Sequence, residues 1–420
     1  MATAPTSPAP EPLSMGAVLR IPAMRRLWYA QIVSTFGDFL ALFAVIGIMT
    51  FKLAATPQQV IGVQIAYLVP IAILGIVAGV FVDRWPLKPT MVASDLIRAA
   101  LVLLLLFATR VSHYYAVLAA ISVVSSFFGP AQGVALRSIV PFHGLRSANA
   151  LMQQVMFVMR IAGPFVAAML VSAFGAKSCY YADAVSFVAS GCLIASVAFG
   201  KLTAPVTPAT PAAASEATGV TRIWLDMKQG FDFIIHHAAL LFTLLALSSG
   251  MFVLGCFGPL IAVYVRDSLH ASTRTFGFAS SAIGIGMLCG INGLTVFARK
   301  VKNTYLVYAG LSGIAAGLVL LTLVTRFWTT IAGDFAIGLS VSGIIIPAQT
   351  LIQQETPPPL MGRVGSTVMS FIFGAQILGL IVSSVLAERI GVRHVFAVCA
   401  ALLAVLVVVG RLWMEPRESA

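Results

Sequence analysis

Four ionisable side chains fall inside long apolar runs: Asp38, Arg160, Asp183 and Asp334. A charge near mid-bilayer costs at least about 2.5 kcal/mol on insertion scales, so each needs an opposite charge, a wet cavity or a proton-handling role. Asp38 lies about 16 Å along its run and Arg160 about 18 Å along its own at helical rise, so the two are expected to meet at similar depth. Such a pair can take and release a proton at Asp38, or it can stay static and lock two helices; ion pairs of both kinds perturb titration. Asp334 lies about 9 Å from the end of its run, as a place for a proton or a cationic substrate, or as a wet carboxylate. Asp183 is nearer still to an end and is expected to be structural. Gln132 and Gln349 each offer a donor and an acceptor, to a substrate or to a neighbouring backbone bent by proline.

Other chemistries lack their residues. Six histidines are scattered, and no His, Asp or Ser set converges at one depth. His236-His237 lacks the i, i+4 spacing that aims two imidazoles at one metal, and reads as an interfacial anchor. The five cysteines show no CxxC and sit in or beside apolar runs, as small hydrophobes do. Without a GxxxxGK[ST] loop, ATP hydrolysis is not expected. Neither a cofactor nor a metal nor an enzymatic activity is expected.

The elements that must hold these groups are membrane helices. Charged residues make up 10% of the chain and hydrophobic ones 59%, with mean hydropathy +0.98, whereas a soluble protein carries about 25% charged residues. The net charge of +12 is spread over short loops between apolar runs, not gathered on the soluble face that nucleic acid requires. A ruler of about 20 apolar residues per crossing finds twelve spans, from Leu27–Phe51 to His394–Trp413. Lys and Arg favour the loops on the side of the two termini by roughly two to one, which places both termini in the cytosol.

The halves repeat. Pro130-Ala131-Gln132 recurs as Pro347-Ala348-Gln349, followed by Arg146 and Arg363, at one 217-residue offset. The expected organisation is a cytosolic tail (1–26), a six-helix bundle (27–200), a cytosolic linker (201–239), a second six-helix bundle (240–414) and a short tail (415–420). Residues 1–14 are rich in Ala, Pro, Thr and Ser, lack the apolar stretch of a signal peptide and read as disordered. In the linker, Lys201 to Gly219 is a Pro/Ala/Thr stretch. After it, Ile223, Trp224, Met227, Gly230, Phe231 and Ile234 oppose Arg222, Asp226, Lys228 and Asp232. That face suits a helix lying on the inner leaflet, or an extension of span seven. Like-oriented halves related by an axis along the membrane normal are a transporter arrangement.

Between spans two and three, Gly79-Val-Phe-Val-Asp83-Arg84-Trp-Pro-Leu-Lys88 resembles the major facilitator superfamily signature G-x-x-x-D-R/K-x-G-R-R/K. Gly79, Asp83, Arg84 and Lys88 match; Pro86 and Leu87 stand where Gly and a basic residue are usual. The run from Phe127 to Ile194, the N-terminal MRRLWYAQIVSTFGDFLAL and the stretch from Ile337 to Ser366 resemble the macrolide-efflux and enterobactin-exporter branch. Gly163-Pro164 resembles the antiporter motif of exporters, with Ala167-Ala168 in place of its following Gly-Gly. The resemblance implies an all-α membrane protein of twelve transmembrane helices in two six-helix bundles with pseudo-twofold symmetry. It also implies that Asp83 latches onto the start of span eleven near Arg363, a place a helix dipole favours.

The function implied is a secondary transporter exporting amphipathic, drug- or macrolide-like small molecules from the bacterial cytoplasm by alternating access, with protons as coupling ion. A siderophore or lysophospholipid cargo on the same fold, or a non-transporting sensor or scaffold, are the alternatives. Phe127, Phe128, Phe371 and Phe373 either give the cavity apolar area or face lipid. The expected partners are the substrate, protons and the lipid bilayer, with the chain a monomer.

Overall fold

The computed structural model describes residues 13–82, 85–199, 220–297, 301–357 and 360–414, and among them there is no strand. Among these described residues fourteen α-helices follow one another. The first bundle is preceded by α1 (Met15–Leu19) and contains α2 (Pro22–Gly47), α3 (Pro57–Val82), α4 (Leu87–Leu104), α5 (Val111–Ile139), α6 (Leu145–Phe174) and α7 (Lys177–Ala195). The second is preceded by α8 (Val220–Ile235) and contains α9 (Ala238–Asp267), α10 (Thr273–Phe297), α11 (Asn303–Leu323), α12 (Phe327–Glu355), α13 (Met361–Ile390) and α14 (Val392–Met414). Twelve of these segments are long and apolar enough to cross a membrane, as the spacing of apolar runs predicts.

Local sequence accounts for where the helices turn. Pro22 occupies the first turn of α2, where a missing amide hydrogen costs nothing. Gly175 (φ +81°) closes α6 and Gly391 (φ +80°) closes α13, a backbone region that glycine enters without a Cβ penalty. These two turns stand in matching places of the two halves. At its far end α2 widens into a π turn, Ile48–Lys52, before Ala54 reverses the chain at φ 49°.

Each bundle packs mainly within itself, α2 on α6 and α7, α3 on α5, and α4 on α5 and α7; the second repeats this with α9 on α13 and α14, α10 on α12, and α11 on α12 and α14. The two main contacts between bundles are α3 with α13 and α6 with α10. Under exchange of the halves these are the same contact, so the pseudo-twofold axis runs between them. Twelve crossings return the chain to the end where it began, called here the terminal end; the opposite end is the distal end.

The helices in front of the two bundles are also related. Ser147 Oγ of α6 donates to Leu13 O (2.6 Å), while Val18 of α1 is fully buried. Thr367 Oγ1 of α13 donates to Met227 O of α8 (3.2 Å), Gly230 presses on Arg363 O, and Phe231 stacks on Phe371 at 5.4 Å and 7°. Leu13 and Ser14, at the end of the stretch expected to be disordered, are thus tied to the first bundle and to α1 by hydrogen bonds. Helix α8 is not an extension of span seven, because the chain breaks at His236-His237 and His237 is extended (φ −117°, ψ 103°). Phe371, expected in the cavity, is engaged by α8 instead.

Candidate functional site

The polar centre of the molecule is built inside the first bundle. Gly37 has no Cβ, and one placed there would strike Ser186 Oγ and Asp183 Oδ1, so α2 and α7 approach closely at this level as small residues allow in membrane helices. That approach sets the Asp183 carboxyl, 1% exposed, against the backbone of α2 at Gly37, one residue before the half-buried Asp38. Ser186 Oγ donates to Asp183 O (2.7 Å) and lies 3.3 Å from its Oδ1.

Behind them, α4 contributes Asp95 and Arg98, one turn apart and paired. Both are buried, at 0% and 4%. The Arg98 guanidinium lies over the Phe128 ring at 4.5 Å and the Phe187 ring at 4.4 Å, so aromatic faces hold a cation that has left water. Asp95 Oδ2 and Ser190 Oγ face each other without regular hydrogen-bond geometry, and neither has another partner. Electrostatically the four groups form one set: Asp38 feels Arg98 and Asp95, Asp183 feels Asp38 and Arg98, and the Tyr67 hydroxyl of α3 feels Asp38.

Asp38 does not pair with Arg160. The ion pairs among the described residues are Asp95–Arg98, Asp232–His236 and Asp267–Arg266, and Arg160 lies exposed on α6 beside exposed Val158 and Met156. Equal depth brings two side chains together only when they also share an azimuth. Here the α2 face that meets α7 is that of Gly37, while Asp38 follows Gln31 and Thr35 on another face. Asp183, expected to be structural, is a member of the set. Asp95 and Arg98 were absent from the expectation. An Asp-x-x-Arg spacing inside an apolar run was the signal, since it places opposite charges on one helix face.

Toward the terminal end a polar stripe continues along α2. Gln132 Nε2 donates to Gln31 Oε1 (2.5 Å), and Gln31 Nε2 donates to Thr35 Oγ1 (2.9 Å), with Asp38 next on the same face. Gln132 therefore belongs to a side-chain chain. Its repeat partner Gln349 is exposed.

Asp334 is neither wet nor in a cavity. It is 0% exposed, and neither carboxyl oxygen has a hydrogen-bond partner among the described residues; Gly333 brings α12 against α11 at this level. Phe128, expected to line the cavity, is spent on Arg98, whereas Phe127 stacks on Trp85 and Phe373 is exposed.

The distal end is sealed. Phe43 of α2 stacks on Phe276 of α10 at 4.5 Å and 7°. Arg266 Nη1 of α9 donates to Thr50 O (2.9 Å) and Ala55 O (2.7 Å), carbonyls that the π turn and reversal leave free. Gln58 and Glu388 meet at 2.9 Å. Gly163 packs on Phe39, and Gly277 of α10 presses on Ala168 and Pro164 O of α6. The Gly163-Pro164 segment is thus the small-residue crossing between bundles, with Ala167 and Ala168 buried in it. Of the signature loop, Gly79 lies in α3 and Lys88 in the first turn of α4, where Pro86 starts the helix; Asp83 and Arg84 lie outside the described residues. A hollow of about 580 Å³ lies at the α12–α13 turn, at the terminal end, with Gln353, Glu355 and Met361 among its lining residues.

Twelve spans in two related bundles, sealed at one end and polar within, define a multi-pass membrane transporter. A family model described as Major Facilitator Superfamily matches residues 27–374 and 244–420, and the chain belongs to that superfamily. The chain is 28% identical over 389 residues to the MFS-type transporter YfiS of Bacillus subtilis, with 89% of each chain covered. It is 26% identical over 407 residues to macrolide efflux protein A of Streptococcus pyogenes, covering 93% of this chain and 96% of that one. Identity to the multidrug efflux pump Tap of Mycolicibacterium fortuitum is 24% over 350 residues, covering 80% and 82%. Among solved structures, the nucleoside transporter NupG superposes with a TM-score of 0.70 at 14% identity, over 93% of this chain and 98% of that one. A bacterial homologue of the human lysosomal transporter Spinster, inward-facing and unoccupied, gives 0.69 at 10% identity, over 94% and 98%. These two likenesses concern the fold.

Proposed function

We propose that this chain exports amphipathic, largely apolar small molecules across the bacterial cytoplasmic membrane in exchange for protons, by alternating access, with Asp38 as a proton-carrying group. Both termini face the cytosol, residues 201–239 link the two bundles, and the chain works as a monomer. The observation that carries the reading is the distribution of cross-bundle contacts: the aromatic stack, the Arg266 bonds and the Gly277 crossing all lie toward the distal end. With the terminal end cytosolic, that is a state closed to the outside. Rocking the bundles about the crossing would open the other side. Efflux proteins among the relatives support the direction and the class of cargo.

The glutamine-lined stripe on α2 suits an uncharged or weakly polar cargo, since neutral amides donate and accept without demanding a counter-charge. The latch role of Gly79, Asp83, Arg84 and Lys88 belongs to the opposite, inside-closed state. The test is accumulation of erythromycin and ethidium in cells with and without the protein, before and after a protonophore. Lower accumulation that returns on collapse of the proton gradient is expected. Equal accumulation in both strains for both compounds would reject drug export, and a protein-dependent difference that survives the protonophore would reject proton exchange.

A further inference from the structure

A guanidinium in the middle of a membrane span needs something to neutralise it. Arg98 has Asp95 and two aromatic rings, and Arg266 has the carbonyls of Thr50 and Ala55. Arg160, in the middle of α6, has no such partner: among the described residues it joins no ion pair and donates no hydrogen bond, and its side chain is exposed. Helix register tells what it is exposed to. Arg160, Pro164 and Ala168 follow at i, i+4 and i+8 on one face of α6, and Gly277 of α10 presses on the last two. Arg160 therefore faces the second bundle, one turn to the terminal side of the crossing, and not the lipid. A long helical side chain leans toward the N-terminus of its own helix, which for α6 is the terminal end. The guanidinium thus reaches into the gap on the side that is not sealed.

The walls there offer it no opposite charge. Neither α6 nor α10 contains an Asp or a Glu. Helix α2 meets α6 at this level through Phe39, packed on Gly163, while Asp38 follows Gln31 and Thr35 on another face. Apolar surface borders the charge instead. Met156 of α6, and Ile285 and Leu288 further along α10 on the face of Gly277, are 40%, 47% and 36% exposed. Nor does packing require a charge at this position, since Ile377 of α13 stands at the 217-residue offset from Arg160.

We infer that Arg160 binds an anionic group of the cargo, a carboxylate or a phosphate ester joined to an apolar body. This rests on the export reading and narrows its substrate class. A planar guanidinium takes two oxygens of such a group side by side, and Met156, Ile285 and Leu288 take the apolar part out of water. The Gln132–Gln31–Thr35 chain is left for neutral polar atoms. A cationic amphipath meets repulsion at Arg160 and is the poorer cargo.

The experiment uses the full chain in phosphatidylcholine nanodiscs and the fluorescent acid dansylaminoundecanoate, with its methyl ester as neutral twin and the signal of empty nanodiscs subtracted. The parent should bind the acid about tenfold or more tightly than the ester, as charge-assisted hydrogen bonds provide. Arg160→Gln, and Arg160→Ile, which copies the second bundle, should remove the preference by weakening the acid alone; Arg160→Lys should keep part of it. Size exclusion shows which variants are folded, and an unchanged affinity for the ester shows that the gap is intact. Decanoate and lysophosphatidylglycerol then compete as free acid and lipid headgroup. Displacement by decanoate supports a soluble amphipathic acid as cargo, and displacement by the lysolipid alone supports a membrane-derived one. Equal binding of acid and ester by the parent overturns the anion site, as does a preference that survives in either folded neutral variant, or displacement by neither competitor. If the anion site falls while cells still expel erythromycin or ethidium, export stands without it. If accumulation of both drugs and of the acid is the same with and without the protein, export itself fails.

Discussion

The two bundles share a plan and divide the work unequally. Pro130-Ala131-Gln132 and Pro347-Ala348-Gln349, the glycine turns at 175 and 391, and the docking helices α1 and α8 all occur in both halves. The charged set occurs in one. At the 217-residue offset from Asp38, Asp95, Arg98 and Asp183 stand Gly255, Ser312, Ala315 and Ala400. The second bundle closes the same space with apolar contacts, such as Phe257 on Phe396 at 5.2 Å, and its buried Asp334 has no ion-pair partner among the described residues. Symmetry supplies a scaffold able to rock. Under the proposed proton exchange, what breaks the symmetry assigns the proton to the first half.

The largest effect should come from Arg98. Removing one partner of a buried ion pair costs about 3–5 kcal/mol, because the other charge stays behind unpaired. Arg98→Leu should therefore lose most of its folded protein when thermal stability is read by fluorescence-detected size exclusion. Arg98→Lys should recover little, since an ammonium lacks the flat face that Phe128 and Phe187 stack on. The double change Asp95→Leu with Arg98→Leu turns the first bundle into a copy of the second at this level. It should regain most of the stability, as apolar replacement of a whole buried pair is often neutral, and yet export without proton release.

The distal seal is one-sided as well. Arg266 of the second bundle enters carbonyls of the first, whereas the residue at the same offset in the first bundle is Met49, fully buried. Hydrogen bonds from a charged group contribute about 1.5–3 kcal/mol each. Arg266→Met should shift the resting population toward the outward-open state. Maleimide labelling of a cysteine at Phe51 would report it, rising several-fold over the parent.

Gly37 and Gly255 offer a closer test of the same contrast. A Cβ at Gly37 meets Asp183 and Ser186, and one at Gly255 meets the backbone carbonyl of Gln376. Both alanine variants overpack a helix contact, at a cost of about 1–3 kcal/mol. Only Gly37→Ala should alter proton release per substrate in proteoliposomes loaded with a pH dye. Equal coupling defects in both would remove the functional asymmetry of the bundles.

Fold and site were legible to different degrees for physical reasons. Crossing a membrane imposes a length and a polarity on each helix, so twelve spans and their repeat stand out without any packing information. Which side chains meet depends on azimuth and on small residues that let helices close up. Asp38 and Arg160 satisfy a depth criterion and still do not meet, because depth leaves the azimuth open and Arg160 lies exposed on α6 with Met156 and Val158. Asp95 and Arg98 lie in the first turns of their span, where charges pass for interfacial, yet the fold covers that region with α5 and α7. The docking of α1 was hidden for another reason: five helical residues after a Pro-rich start carry too little periodicity to read.

The smallest effect separates the two docking helices. Phe231 on α8 stacks on Phe371 of α13, while α1 meets α6 through backbone and small polar contacts such as Ser147 with Leu13 O. An aromatic pair contributes about 0.5–1.5 kcal/mol beyond its buried area, so Phe231→Ala should lower thermal stability slightly and leave proton coupling intact. Protease access at Lys228 on α8 itself gives the sharper readout, because α8 released from α13 exposes its own backbone to cleavage. A faster nick in Phe231→Ala with unchanged transport would make α8 a passive anchor equivalent to α1. A changed transport rate would instead mean that this dock, unlike its counterpart, moves with the second bundle as the gap opens.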